Sequence, residues 1–241
     1  MKKLLFTLAA VFFLTSLHAQ EENVSDYTEA PEAFDFPETA EASQPASFPL
    51  DFVMQFEPAL YLNTESTLVS APSPIVYPIS IGFLWPNRSR FAIQPSISFF
   101  MMQHLLYEDK ALPAEIENRT TTTLSFMLNI PVVFSLFLDN SLFQFTAGPG
   151  ILMRFGLLSP GVKEGDSGWS GSAGSDVEKI NEYFWNDMRW FYVSAGGSWL
   201  YNLTPQLRAG PTINVYLPVG GLISDQSAQG MIISAGIKIC R

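Results

Sequence analysis

A chain of 241 residues with net charge −10 lacks the basic footprint of a nucleic-acid binder, and its single cysteine, Cys240, excludes an intramolecular disulfide framework. His18 and His104 are its only histidines, so the usual metal and cofactor sites have no ligand set, and none is assigned. The charge is uneven: residues 21–49 hold eight acidic and no basic residues, whereas 50–241 hold fifteen acidic and eleven basic ones, a net of −4.

Residues 1–19 read as a secretory signal peptide. Lys2 and Lys3 precede an apolar run from Leu4 to Leu17, and Ala19 offers a small residue for cleavage before Gln20. The run is short for a membrane span, and nothing later reaches 18 uninterrupted apolar residues. Residues 20–49, rich in Ala, Pro, Ser and Glu without a sustained period, read as an acidic disordered linker.

From residue 50 to 241 the pattern changes to strict alternation. It predicts eight strands, at about 51–63, 75–85, 91–101, 123–138, 142–156, 189–202, 206–217 and 230–240. The third shows it best. Phe91, Ile93, Pro95, Ile97, Phe99 and Met101 share one face, and Ala92, Gln94, Ser96 and Ser98 share the other. No outward position on any of the eight is charged, which fits a lipid-facing wall, where Lys or Arg costs roughly 2–4 kcal/mol at the bilayer midplane. Connections alternate: short at Pro86–Ser89, Asp139–Ser141 and Leu203–Pro205, long at about 64–74, 105–122, 157–188 and 218–229. The expectation is an all-β protein, a monomeric, closed, antiparallel eight-stranded transmembrane β-barrel with an up-and-down meander. Short turns and both termini are expected in the periplasm and long loops outside. Prolines inside strands (Pro58, Pro95, Pro149 and Pro211 outward, Pro78 and Pro131 inward) require local bulges.

Three stretches, Leu128-Asn129-Ile130-Pro131-Val132-Val133-Phe134, Phe145-Thr146-Ala147-Gly148-Pro149-Gly150 and Asn202 to Pro211, resemble small outer-membrane β-barrel proteins of the opacity-like, OmpX-like and OmpW-like families. The resemblance implies an eight-stranded barrel in a double-membraned bacterium, serving as an adhesin, a surface-exposed structural protein or a narrow channel for small apolar compounds. Implied partners are outer-membrane lipid, the barrel-assembly machinery and a host or surface ligand met by the loops. The chain ends Ile239-Cys240-Arg241, where such barrels commonly end on an aromatic residue.

Inward parity nominates Asp51, Glu57, Arg90, Arg154, Arg208 and Lys238 as a lumen polar network, or as a charged constriction if the lumen holds water. Asp51 and Lys238 are expected to pair across the closing strands. Many inward positions are small, which either leaves a narrow cavity or accommodates Tyr192, Tyr216, Phe100 and Met102. In the 157–188 connection Trp169 and Trp185 are candidate recognition anchors, and Asp176 to Trp185 forms a short helix or extends strand six. His104, near Glu108 and Asp109, lacks a nucleophile motif beside it, so no enzyme is expected. The primary functional expectation is an outer-membrane protein with an adhesin-like or structural role played by surface loops. The alternative is a narrow pore for small or apolar solutes.

Overall fold

The computed structural model describes residues 50–62, 74–87, 89–107, 109–113, 121–158, 173–224 and 228–241; the expected signal and linker, and Trp169, lie outside the described residues. In chain order the strands are β1 (Asp51–Phe56), β2 (Ala59–Tyr61), β3 (Ile75–Val76), β4 (Ile79–Leu84), β5 (Phe91–Ile93), β6 (Ser96–Tyr107), β7 (Lys110–Pro113), β8 (Thr121–Asn129), β9 (Val132–Phe137), β10 (Ser141–Leu158), β11 (Phe191–Thr204), β12 (Leu207–Pro218) and β13 (Ile232–Cys240). Two helices, α1 (Ala173–Trp185) and α2 (Val219–Ser224), lie in the connections that precede β11 and β13.

These strands make eight staves. β1 with β2, β3 with β4, β5 with β6, and β8 with β9 form the first four; β10, β11, β12 and β13 are the others. All pairings are antiparallel, and β13 pairs with β12 on one edge and with β1 and β2 on the other. The sheet therefore closes, which satisfies the backbone groups that an open edge would strand in lipid. Burial follows the period-two pattern that built the staves: β1 and β4 alternate strictly between buried and exposed positions.

Proline explains why four staves are split. A proline cannot donate to a ladder, so the strand breaks there. The breaks at Pro58 and Pro78 lie across from each other, where the Glu57 amide donates to the Pro78 carbonyl at 3.2 Å. Those at Pro95 and Pro131 are likewise adjacent, with the Gln94 amide donating to the Pro131 carbonyl at 3.0 Å. Each of the four keeps its carbonyl in use as an acceptor, and the missing donors of Pro78 and Pro131 fall opposite the breaks at Pro58 and Pro95. Pro149 and Pro211 lie within continuous strands on the outer face.

One stretch of wall departs from the simple meander. The β4–β6 ladder ends at Ile79↔Phe99. Further along β6, His104 to Tyr107 pair with β7 on the edge that faces the second stave, since β8 holds the other edge at His104↔Thr121. Among the described residues, Phe100, Met101 and Met102 have no ladder partner on that edge.

The outer surface is an apolar belt. Phe52, Ile81, Phe99, Phe145, Val193, Ile213 and Ile237 are all at least 40 % exposed. A water-facing sheet would not leave such a continuous surface uncovered. Aromatic residues gather at the end that carries the β9–β10 and β11–β12 turns. Phe143 stacks on Trp199 at 5.2 Å, Trp199 meets Tyr201 at 4.9 Å, and Phe91 meets Phe134 at 5.2 Å. Phe155 and Trp185 (5.9 Å) and Trp190 and Phe191 (6.0 Å) lie toward the other end. Amphipathic rings favour the two membrane–water interfaces.

Candidate functional site

The inward side chains stack in layers. At the turn-rich rim, Asp51 accepts from the Arg208 guanidinium and, at 2.6 Å, from the Asn87 amide. This corrects the expected Asp51–Lys238 pair. Val53 is in register with Cys240, and so is Arg208, so Asp51 lies beyond Lys238 toward the rim, within reach of the long Arg208 side chain. Arg90 is a second correction. It is exposed at the same rim, because alternation resets in the turn before Phe91, and only its carbonyl joins the wall, accepting from the Ser135 amide at 2.7 Å.

Above the rim, Val53, Leu84, Ala92, Val133, Leu142, Leu200 and Cys240 form an apolar plug. A polar layer follows. The fully buried Lys238 ammonium donates to Gln94 Oε1 at 2.5 Å and Gln144 Oε1 at 2.8 Å. Glu57, also buried, accepts from Asn214 Nδ2 at 2.5 Å. The two ions thus use separate neutral partners, with opposite charge close enough to act between them. Ser80–Ser98 (2.7 Å) and Ser198–Thr212 (3.0 Å) hydroxyl pairs fill the layer. Such a network holds only when its members are satisfied, because a buried unpaired ion costs several kcal/mol. Gly196 belongs to this design: a Cβ there would collide with Asn214 Oδ1 and push that amide away from Glu57.

A second apolar layer contains Ala59, Tyr61, Val76, Phe100, Met102, Met127, Leu152, Tyr192 and Ile232. The small inward residues make room for the large ones: Gly150 is in register with Tyr192, Ser194 with Tyr216, and Ser125 with Phe100. A cavity of about 10 Å³ beside Glu57, Phe100 and Tyr216 has space for about one water.

Over this layer sits Arg154, buried. Its Nη1 donates to the Tyr61 hydroxyl at 2.9 Å, and its Nη2 to the Arg189 carbonyl at 3.2 Å and the Tyr192 hydroxyl at 3.4 Å. Its guanidinium lies 4.1 Å from the Phe184 ring centroid. Phe184 belongs to α1, which buries Ala173, Asp176, Ile180 and Phe184, a spacing of three and four residues that makes one helical stripe. Ile180 and Phe184 pack with Leu106 and Ala111 of the β6–β7 hairpin. Asn181 fastens the helix to the wall: its Oδ1 accepts from the Gly156 amide at 2.5 Å and its Nδ2 donates to the Gly156 carbonyl at 3.2 Å. The helix and hairpin cap this end of the lumen.

His104 is sealed beneath the cap, edge-on to Phe184 (5.0 Å) and Tyr61 (5.9 Å). Thr123 Oγ1 donates to the Met102 carbonyl at 3.0 Å and meets His104 Nδ1 at 3.1 Å. His104 Nε2 has no hydrogen-bond partner among the described residues. Trp185 stands 42 % exposed at the end of α1, beside the outward-facing Phe155. Asn181, Phe184 and the Gly156 edge were not singled out from sequence. The polar Asn and aromatic Phe three positions apart in Asp176–Trp185 were the available signal.

A closed eight-stave barrel with an uncharged apolar belt, aromatic girdles and an inward polar network defines the class: this is a small eight-stranded transmembrane β-barrel. No family model matches the sequence, and no curated protein matches it. Among solved structures, the chain is similar to Neisserial surface protein A (TM-score 0.47, 8 % identity, covering 80 % of this chain and 96 % of that one). It is also similar to Ail, the attachment invasion locus protein of Yersinia pestis (0.42, 6 %, 79 % and 95 %). A third similar structure is the outer membrane protein AlkL (0.34, 10 %, 85 % and 93 %).

Proposed function

We propose that the protein resides in a bacterial outer membrane and acts at the cell surface, in an adhesin-like or structural role, through the connections at its capped end. The observation that carries this reading is the filled lumen: a plug, a satisfied ion network, a second apolar layer and a helix lie in series along the axis. A solute path through such a stack would have to break the hydrogen bonds that hold buried charges, at a cost of several kcal/mol. Chemistry directed outward is left to the connections. In this reading both termini and the turn-rich rim face the periplasm. The partners are membrane lipid along the belt, the assembly machinery during insertion, and a surface ligand met by the loops, with Trp169 and Trp185 as anchors.

The test is display of the full chain on a double-membraned host, with and without residues 160–171, against immobilised glycans and proteins. Binding that disappears with the deletion, while the barrel keeps its folded gel mobility, supports the reading. Binding that is absent, or indifferent to the deletion, removes it.

The narrow-pore alternative has one observation in its favour, the edge at Phe100–Met102, which has no ladder partner among the described residues and lies at the second apolar layer. It favours lateral passage of apolar solutes over axial flow. Liposome uptake of an apolar dye, compared between the wild type and Arg154→Glu, tests it: uptake sensitive to that reversal supports a lumen route, and equal uptake in protein-free vesicles excludes it.

A further inference from the structure

His104 is wholly buried at the place where the cap meets the barrel. Its ring lies edge-on to Tyr61 of β2 and to Phe184 of α1. The Arg154 guanidinium stands over the same two rings, 4.1 Å from the Phe184 centroid and 6.0 Å from that of Tyr61. Two basic side chains therefore share one covered site. Nδ1 of His104 meets the Thr123 hydroxyl, and Nε2 has no partner among the described residues.

The charged groups of the surrounding elements do not prepare this site for a second cation. On β10, Arg154 is the charge that acts on the ring, and it has the same sign as an imidazolium. Arg189, which precedes β11 and lies over the Tyr183 ring, is paired with Asp187 and donates to the Tyr183 carbonyl. On α1, the buried Asp176 lies eight residues before Phe184, about 12 Å along the helix. On the β6–β7 hairpin, Lys110 is in register with Tyr107 at the turn, whereas His104 is in register with Pro113 at the other end. Tyr61, Tyr183 and Tyr192 are neutral phenols, and β8 presents Thr121 and Thr123. An imidazolium carries a proton on both nitrogens and accepts from neither. Here the proton on Nε2 would meet no acceptor, and the new charge would lie beside a guanidinium out of contact with water.

The element that yields is set by how each cover is fastened. On the wall side His104 sits between two ladders, with β7 on one edge and β8 on the other. The helix is held by the packing of Ile180 and Phe184 and by the Asn181 contacts with Gly156, and it is no part of the closed sheet. We infer that α1 is an acid-released lid: protonation of His104 lifts Phe184 and its helix from the mouth of the barrel. The open form takes up the proton and the closed form does not. Closure is therefore fully stable above the ordinary histidine value of about 6.5 and weakens as pH falls below it. Opening bares Arg154 and the second apolar layer. The ion layer and the apolar plug beneath stay in place, so the open form is a cup with a closed floor and not a pore. The device stands whether or not the loops bind a surface ligand.

The experiment is hydrogen exchange of the full chain in micelles of a zwitterionic detergent from pH 7.5 to 5, with each rate corrected for the intrinsic pH dependence of exchange. Protection across Ala173–Trp185 is expected to fall by up to tenfold per pH unit below about 6.5, as uptake of one proton requires, while β11 and β12 keep theirs. His104→Asn, which keeps a polar group beside Thr123 and cannot be protonated, removes the slope. If that variant does not fold, nitrogen-15 NMR of the histidine ring in the wild type decides: protonation of His104 that tracks the loss of α1 protection supports the lid. A flat profile in the wild type, an equal slope in His104→Asn, a ring still neutral where α1 has opened, or a loss shared by β11 and β12 overturns it.

Discussion

Lys238 shows how single residues set the character of this barrel. Its ammonium is wholly buried at a depth where β13 is in register with Gln55 of β1 and Gly210 of β12. Only the amide oxygens of Gln94 and Gln144, reaching in from the third and fifth staves, make that tolerable. Lys238→Met should destabilise the barrel by about 3 kcal/mol, because Glu57 then loses its nearby positive charge and remains buried. Adding Glu57→Gln should restore part of the loss. Urea unfolding in micelles of the two single variants and the double variant measures the coupling, and strictly additive costs would show the two ions to be independent. Gly196→Val makes a companion test, since its side chain would occupy the Asn214 position. It should lower stability by about 1–3 kcal/mol, read by the same unfolding curve.

At the scale of elements, the staves were legible because lipid outside and packed side chains inside force a period of two. The outward residues expected from alternation in β1 and β4 are the exposed ones, and in β13 Ala235, Ile237 and Ile239 are exposed while Ile233 is half-buried. Pairings between distant side chains were not legible. Stave stagger decides them: Asp51 meets Arg208 because register carries it past Lys238, and parity alone carries no information about height along the axis. Arg90 was misplaced because parity does not survive a turn. The β6–β7 hairpin was hidden in a stretch without clear alternation, since Ala111, Leu112 and Pro113 are all buried. The cap helix was visible as one of two readings of Asp176–Trp185, and its contacts now support a prediction. Phe184→Ala should cost about 3–4 kcal/mol locally, opening α1 while the staves hold. Hydrogen exchange should then speed up across Ala173–Trp185 and stay slow in β11 and β12; uniform acceleration would contradict a separable cap. Cysteines replacing Tyr77 and Met101, adjacent when the β4–β6 register is extended by two residues, should form a disulfide across the unpaired edge. Failure to cross-link under oxidation would mean that the second and third staves are splayed too far apart there.

For the whole molecule, two surfaces of opposite character argue for one environment. The belt is apolar and uncharged, and the interior is polar where the ions sit and apolar above and below them. A charge placed on the belt should therefore be costly: Ile213→Arg, outward and 55 % exposed, should lose roughly 2–4 kcal/mol in lipid vesicles. The same change on a water-facing sheet would cost little. The layered interior makes the strongest claim, that the axis is closed and function lies outside it. The most direct measurement is single-channel conductance of the refolded protein in planar bilayers under two salts, with folding confirmed by heat-modifiable gel mobility. The layered lumen predicts a silent bilayer at every voltage tested. Steady, reproducible current steps whose ion selectivity changes with Lys238→Met would contradict it and make the lumen the working part of the molecule.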